Sequence, residues 1–267
     1  MIETSSLSTR NGNYRVAQRG AEDAPVLLLS NSLGTTLEMW EGQLAEFSST
    51  FRVVCYDTRG HGGSPVTPGP YSFSGLGDDV LAVMDALDIE RAVFCGISMG
   101  GHTGLWLGVH AGERFSGIAV CNSAARIGTA QAWAERAAAV REGGADAMKA
   151  LAASSPERWF TPAFVQAEPE VVARSQAWIA GVDPQGYAAC CEALATSDLR
   201  PELGRIAVPT LLLAGESDPV TTVADAQAMH AAIPGSTLAS VPASHLSNLE
   251  APQAFNQALA DFIATLT

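Results

Sequence analysis

Positive charge is scarce in this chain. Its 267 residues carry 15 Lys and Arg against 28 Asp and Glu, a formal net charge of −13. A surface of that sign repels phosphate backbones and anionic bilayers, so neither nucleic acid nor membrane is expected as a partner. It offers no long-range attraction to an anionic small molecule either, and recognising one would take a local cationic group. Cysteine is sparse too. Cys55, Cys95, Cys121, Cys190 and Cys191 are odd in number, irregular in spacing and partly embedded in apolar runs. That reads as buried reduced thiols rather than a disulfide framework, and no spacing suits a metal site, so no metal is expected. No uninterrupted apolar run approaches a membrane span. Met1 to Ser6 lack the basic and apolar regions of a secretory leader, and a cytoplasmic protein is the expectation. Internal repeats are missing as well.

What is present is an alternation of short apolar runs and helix-like stretches. Val26–Ser30, Phe51–Tyr56, Ala92–Cys95 and Ile118–Cys121 are uncharged but for Arg52 and read as strands, with helices over Met39–Phe47 and about Ser74–Leu87 between them. Fully apolar strands separated by helices indicate a parallel sheet covered on both faces, an α/β fold. After Asn122 the pattern changes. The chain is Ala-rich and helical in period from Gln131 to Ala153, broken at Gly143-Gly144, with more helix over Glu170–Ala180 and Tyr187–Ala195. No strand-like run appears before Pro209–Ala214 and Thr237–Val241, and a helix from Pro252 to about Thr265 closes the pattern. The expected organisation is therefore a core of residues 1–121 and 201–267 with a helical cap inserted at 122–200.

One segment carries chemistry. Gly96-Ile97-Ser98-Met99-Gly100-Gly101 follows the apolar run at Ala92–Cys95 and precedes a helix-like stretch from His102 to Ala111. Strand, sharp turn and helix with serine at the apex is the construction of a nucleophile elbow. Side chains two residues before and after the serine would collide, which accounts for Gly96 and Gly100. The turn lifts the hydroxyl above the sheet and lets the Met99 N–H face a developing oxyanion.

A serine hydroxyl needs a base, and the base needs an orienting carboxylate; in this architecture the chain order is serine, acid, histidine, each beyond a strand end. His245 lies just past the last strand in Pro242-Ala243-Ser244-His245, whereas His230 belongs to a helix-like stretch. His61, His102 and His110 read as structural. For the acid, Asp218 in Gly215-Glu216-Ser217-Asp218-Pro219 is favoured because Pro219 holds the preceding residue extended, with Glu216 as the alternative. A second oxyanion donor belongs on the loop after the first core strand, where position points to the Leu33 N–H in Asn31-Ser32-Leu33-Gly34.

Together these segments resemble the α/β-hydrolase family over nearly the whole chain. Tyr56-Asp57-Thr58-Arg59-Gly60-His61-Gly62-Gly63-Ser64 resembles that family's D-x-R-G-x-G-x-S loop. Serine rather than aspartate at position 98 argues against a dehalogenase. Ser30-Asn31-Ser32-Leu33-Gly34-Thr35, with Glu38-Met39-Trp40 and the cap opening Cys121–Thr129 followed by Trp133, is similar to the 3-oxoadipate enol-lactonases of bacterial aromatic catabolism. That resemblance implies a catalytic triad of Ser98, Asp218 and His245, oxyanion donors at Leu33 and Met99, and no cofactor. It also implies a small lactone substrate bearing a carboxylate. A carboxylate buried without a partner is costly, so a cap arginine is the natural counterpart. Arg126 and Arg136 are the candidates, with Trp133 as a wall; ordinary surface charge is the other reading of both arginines. A carboxylesterase or C–C bond hydrolase could use the same triad on another acyl group. A perhydrolase-like or ligand-binding protein is the reading from a different class, although a pure binder has no need of all three roles. Oligomeric state is not legible in the sequence.

Overall fold

A computed structural model describes residues 2–266. Its strands are β1 (Ser5–Thr9), β2 (Gly12–Arg19), β3 (Val26–Ser30), β4 (Arg52–Tyr56), β5 (Ala92–Ile97), β6 (Phe115–Cys121), β7 (Thr210–Gly215) and β8 (Thr237–Val241). They form one sheet in the order β1-β2-β4-β3-β5-β6-β7-β8. Pairings β1/β2 and β2/β4 are antiparallel and the rest parallel. The sheet is covered on both sides by helices α1 (Glu41–Phe47), α2 (Phe73–Ala86), α3 (Met99–His110), α9 (Val223–Ala232) and α11 (Pro252–Ala264). Between β6 and β7 lie α4 (Ala130–Ser154), α5 (Pro156–Trp159), α6 (Pro162–Ala167), α7 (Pro169–Ala180) and α8 (Pro184–Thr196), called the cap below; the short α10 (Ser247–Glu250) follows β8.

Double coverage explains the uniformly apolar strands. Every residue of β5 and β7 is buried. In β3, Leu27 and Leu29 join a cluster with Phe47, Phe255 and Phe262, while Leu28 joins the opposite one with Val80, Val83 and Leu105. Strand side chains alternate between faces, so both faces must be apolar. The first two strands lie outside the elements expected from the sequence. β1 reads Ser-Ser-Leu-Ser-Thr and is largely exposed; pairing with β2, not apolar content, makes it a strand.

The chain passes from β3 outward to β4 and then returns to β5 on the other side of β3. Ligand crevices of open α/β sheets form at such a reversal, beyond the carboxyl ends of the strands. Ser30 pairs with Gly96, so the loops leaving β3 and β5 emerge side by side.

The prolines that punctuate the cap sequence start helices rather than loops: Pro156, Pro162, Pro169 and Pro184 each stand in the first turn, where the missing N–H costs nothing. Thr129, Thr161 and Asp183 cap α4, α6 and α8 with side-chain oxygens. Helix α4 kinks at Gly144 (φ 53°, ψ −132°). Cap residues Val140, Met148 and Tyr187 join the same buried cluster as Leu27 and Leu29. Backbone contacts tie the cap to the core. Leu246 N–H donates to the Trp159 carbonyl at 3.0 Å. Gly60 (φ +83°) meets Gly186 so closely that a Cβ on Gly60 would stand 2.8 Å from the Gly186 Cα.

Candidate active site

Ser98 stands between β5 and α3 with φ 57° and ψ −113°. A positive φ costs a non-glycine residue on the order of 1–3 kcal/mol and persists only where its surroundings impose it. Here the Ser98 N–H donates to the Cys121 carbonyl at 3.0 Å, and the Ser98 carbonyl accepts from the His102 N–H at 2.9 Å and the Ser123 hydroxyl at 2.7 Å. The flanking glycines are needed for reasons slightly different from those expected. A Cβ on Gly96 would lie 2.3 Å from the Gly100 backbone, but one on Gly100 would lie 2.3 Å from the Ser30 carbonyl oxygen at the end of β3. The elbow is thus pressed against the neighbouring strand as well as against itself. Helix α3 begins at Met99 rather than near His102, which leaves the Met99 N–H among the free donors of the helix N-terminus.

Asp218 and His245 follow β7 and β8, and both are buried, 5% and 2% exposed. His245 Nδ1 lies 2.8 Å from Asp218 Oδ2. The same oxygen accepts from the Thr221 hydroxyl at 2.9 Å and the Asn122 amide at 3.1 Å, while Oδ1 accepts the N–H groups of Val220 and Thr221 at 2.8 and 3.1 Å. Burial by itself raises the Asp218 carboxyl, but the His245 charge and the hydrogen bonds from His245, Asn122 and Thr221 outweigh it and hold the group below its ordinary value. An ionised carboxylate can only accept, so Nδ1 carries the proton, and in the neutral ring the lone pair is on Nε2. Asn122, unforeseen in the sequence, directly follows β6, the strand between those bearing Ser98 and Asp218. Its amide also reaches the Ser244 carbonyl at 3.0 Å, beside His245. Its signal in the sequence was a polar residue just past a buried strand.

The loop after β3 is pinned at several points. The Ser32 carbonyl accepts from the Thr35 hydroxyl at 2.8 Å and the Thr35 N–H at 3.2 Å, and Asn31 Oδ1 accepts from Trp40 Nε1 at 3.0 Å. Gly34 (φ +84°) donates its N–H to His61 Nε2 at 2.9 Å.

These loops and the cap enclose a cavity of about 200 Å³, below the roughly 300–1,000 Å³ of sites for drug-sized ligands and suited to a small substrate. Ser32, Leu33, Ser98 and His245 line it from the sheet side; Trp133, Arg136, Arg158 and Tyr187 line it from the cap. The Arg136 guanidinium lies 4.9 Å over the Trp133 ring, which is itself anchored by a 2.6 Å hydrogen bond from its indole N–H to the Ile127 carbonyl. Arg158 bonds the Ser154 hydroxyl at 3.1 Å. Among the described residues neither arginine has a carboxylate within ion-pair distance, whereas Arg15, Arg59, Arg141 and Arg174 all do. Burial, and next the nearby Arg136 charge, pull the Arg158 guanidinium below its ordinary value. Two like charges therefore face one small cavity, with no carboxylate in ion-pair contact among the described residues.

Other residues singled out in the sequence go elsewhere. Arg126 is not brought to this cavity: the Ala125 carbonyl accepts the Leu199 N–H at 2.9 Å, and that pins the segment so that Arg126 pairs with Asp198 at 3.5 Å on the surface. Glu216 accepts from the Ser240 hydroxyl at 3.0 Å, on the exposed side of the turn. His230 bonds Ser236 within its own helix–strand connection. His102 points away from the Ser98 hydroxyl, with Nδ1 2.8 Å from the Ala124 carbonyl and Nε2 2.7 Å from the Ser197 hydroxyl. His110 lies against Trp106, 3.7 Å from Glu202. All five cysteines are free and buried. Among the described residues no helix is long and apolar enough to cross a membrane.

Comparison with known proteins places this geometry in context. A family model described as the alpha/beta hydrolase fold matches residues 25–252. The chain is similar to 3-oxoadipate enol-lactonase 2 of Acinetobacter baylyi, 50% identical over 254 residues that cover 95% of this chain and 94% of that protein. It is also similar to 3-oxoadipate enol-lactonase 1 of the same organism, 43% identical over 266 residues covering 99% and 98%. Among solved structures it is similar to the enol-lactonase from Burkholderia xenovorans, with a TM-score of 0.94 and 41% identity over 97% of this chain and 100% of that one.

Proposed function

This chain belongs to the α/β-hydrolase family, and on that footing we propose that it is a 3-oxoadipate enol-lactonase working through a triad of Ser98, His245 and Asp218. The observation that carries the substrate assignment is the pair of uncompensated arginines, Arg136 and Arg158, in the same small cavity as Ser98 and His245. A lactone bearing a carboxylate supplies the missing counterion and presents its ring ester to the serine. A neutral ester leaves two guanidiniums facing an apolar guest, which is costly.

The steps follow from the groups present. His245 Nε2 takes the Ser98 proton as Oγ attacks the lactone carbonyl. The oxygen of the tetrahedral intermediate is received by the Leu33 and Met99 N–H groups, and the positive end of α3 adds to its stabilisation. The ring C–O bond breaks toward the enolate, a better leaving group than an alkoxide; protonated by His245, it becomes a ketone. Water then gives its proton to His245 and attacks the acyl-enzyme, releasing the second carboxylate and restoring Ser98. Asp218 holds the imidazole in the Nδ1–H tautomer and offsets its positive charge. The balance is one lactone monoanion and one water to one 3-oxo dicarboxylate and one proton, with no redox step. A cytoplasmic setting belongs to this reading.

The test is substrate preference. The wild-type protein is expected to turn over 3-oxoadipate enol-lactone with a kcat/KM at least about a hundredfold above that for p-nitrophenyl acetate. Arg136→Ala and Arg158→Ala are each expected to raise KM for the lactone about tenfold or more, the scale of a lost charge-assisted hydrogen bond, while leaving the neutral ester nearly unaffected. Preference for the neutral ester, or equal losses on both substrates, would sink the assignment.

A further inference from the structure

The aim of the Leu33 N–H is set by the two peptide groups that flank this residue. A trans peptide is planar, with its N–H opposite its C=O. The Ser32 carbonyl is held by both donors of Thr35, so the Leu33 N–H of that same peptide points the other way. The next peptide is held by its Gly34 N–H, which donates to His61 Nε2 at 2.9 Å. Of these two anchors, the first is local to the loop and the second comes from the connection after β4. His61 does not line the cavity. It is 1% exposed, and its other nitrogen, Nδ1, faces the Arg59 carbonyl at 3.3 Å. A carbonyl can only accept, so Nδ1 carries the proton and Nε2 is the acceptor. One neutral tautomer fits both contacts, whereas the imidazolium satisfies only the Arg59 carbonyl and has no lone pair for Gly34. Burial keeps the ring neutral, pushing its pKa down to about 4. Side-chain bulk at Gly34 is blocked from the cap side, where a Cβ would come 3.0 Å from Ile179.

We infer that His61 is a positioning residue for the oxyanion hole: its Nε2 lone pair, by holding the Gly34 N–H, fixes the peptide that orients the Leu33 N–H toward the reacting carbonyl oxygen. The inference rests on the reading of Leu33 as an oxyanion donor. It turns a histidine that the sequence presents as merely structural into part of the rate-determining geometry.

The experiment compares His61→Leu, His61→Asn and His61→Gln. The Gln amide can accept from Gly34 and donate to Arg59; Leu has neither group and the Asn arm is too short. Removing an oxyanion donor outright costs about 10²–10³ in kcat, so misaiming one is expected to lower kcat on the lactone about 10- to 100-fold in Leu and Asn, with KM within about threefold of wild type. Gln is expected to recover to within about fivefold. The separating readout is inhibition by an alkyl boronic acid, which forms a tetrahedral anionic adduct on the serine. Its affinity should fall in step with kcat across the series, while competitive inhibition by glutarate, which engages the cap arginines alone, stays put. Should the Leu protein not fold, the Asn and Gln pair carries the same comparison. Wild-type kcat in the Asn or Leu variant, or a reduced kcat with unchanged boronate affinity, overturns the inference. Ser98→Ala is run alongside: activity surviving there defeats the enol-lactonase mechanism as a whole, whereas an inactive Ser98→Ala with a fully active His61→Asn defeats only the role of His61.

Discussion

The two walls of the cavity are built on opposite plans. On the sheet side the carboxylate and the serine backbone are tightly held. Asp218 accepts five hydrogen bonds, and Ser98 is fixed through its N–H and its carbonyl. On the cap side Arg158 bonds the Ser154 hydroxyl, and Arg136 lies over the Trp133 ring and near the Tyr187 hydroxyl. The sheet wall is complete before any ligand arrives, which is what preorganised electrostatics requires. The cap wall is left short of negative charge, and on the proposed mechanism the substrate carboxylate completes it. That reading separates reactivity and recognition in space, one on strand-end turns and the other on helices.

The largest effect that should expose this division is on the sheet side. Ser98→Ala is expected to lower kcat by about 10⁴-fold or more, while glutarate still inhibits the residual reaction or still raises the melting temperature, because the arginines are untouched. Loss of dicarboxylate binding in that variant would mean that the two walls are not independent. An intermediate effect concerns acid. His61 and His102 both belong to the sheet side, and burial pulls each pKa down to about 4 from an ordinary 6.5. Between those values the folded chain binds fewer protons than the unfolded one, so stability rises with pH in that window. The contribution is fully present above about pH 6.5 and is lost as pH falls toward 4. Thermal melts across this range should show a declining midpoint, with a shallower decline in His61→Gln; a flat profile would contradict the neutral buried rings. The smallest effect is expected on the outside of the cap. Arg126→Ala removes only a surface pair with Asp198, and kcat/KM for the lactone should stay within about twofold, since exposed ion pairs contribute little.

The same division decides what could be read from the sequence. Strands β3, β5 and β8, the elbow, and the loops at Asp218 and His245 are local patterns: an apolar run, then a turn whose residue types are dictated by backbone geometry. Chain order alone assigns their roles. The polar strand β1 is invisible because its stability comes from pairing with β2, not from burial. Arg158 lies beside Pro156 in a four-residue helix, and nothing nearby in sequence says that it faces a cavity formed with Arg136 from another helix. Arg126 and Arg136 are equivalent in type and closeness to the cap opening; the Leu199–Ala125 hydrogen bond and the pairing with Asp198 hold Arg126 on the outside. Asn122 and His61 bond connections from different strands, so their contacts depend on strand order, which residue types do not encode.

The contact between Gly60 and Gly186 limits how the roof of the reaction chamber can be altered. With no side chain on either partner, the start of α8 rests directly on the main chain of the loop that carries His61, and nothing there can shrink to make room. A foreign hood grafted between β6 and β7 would have to bring its own glycine to that spot. Any larger residue would press its first carbon to within 2.4 Å of the Gly60 carbonyl oxygen, and main chain, not a pliant side chain, would have to yield.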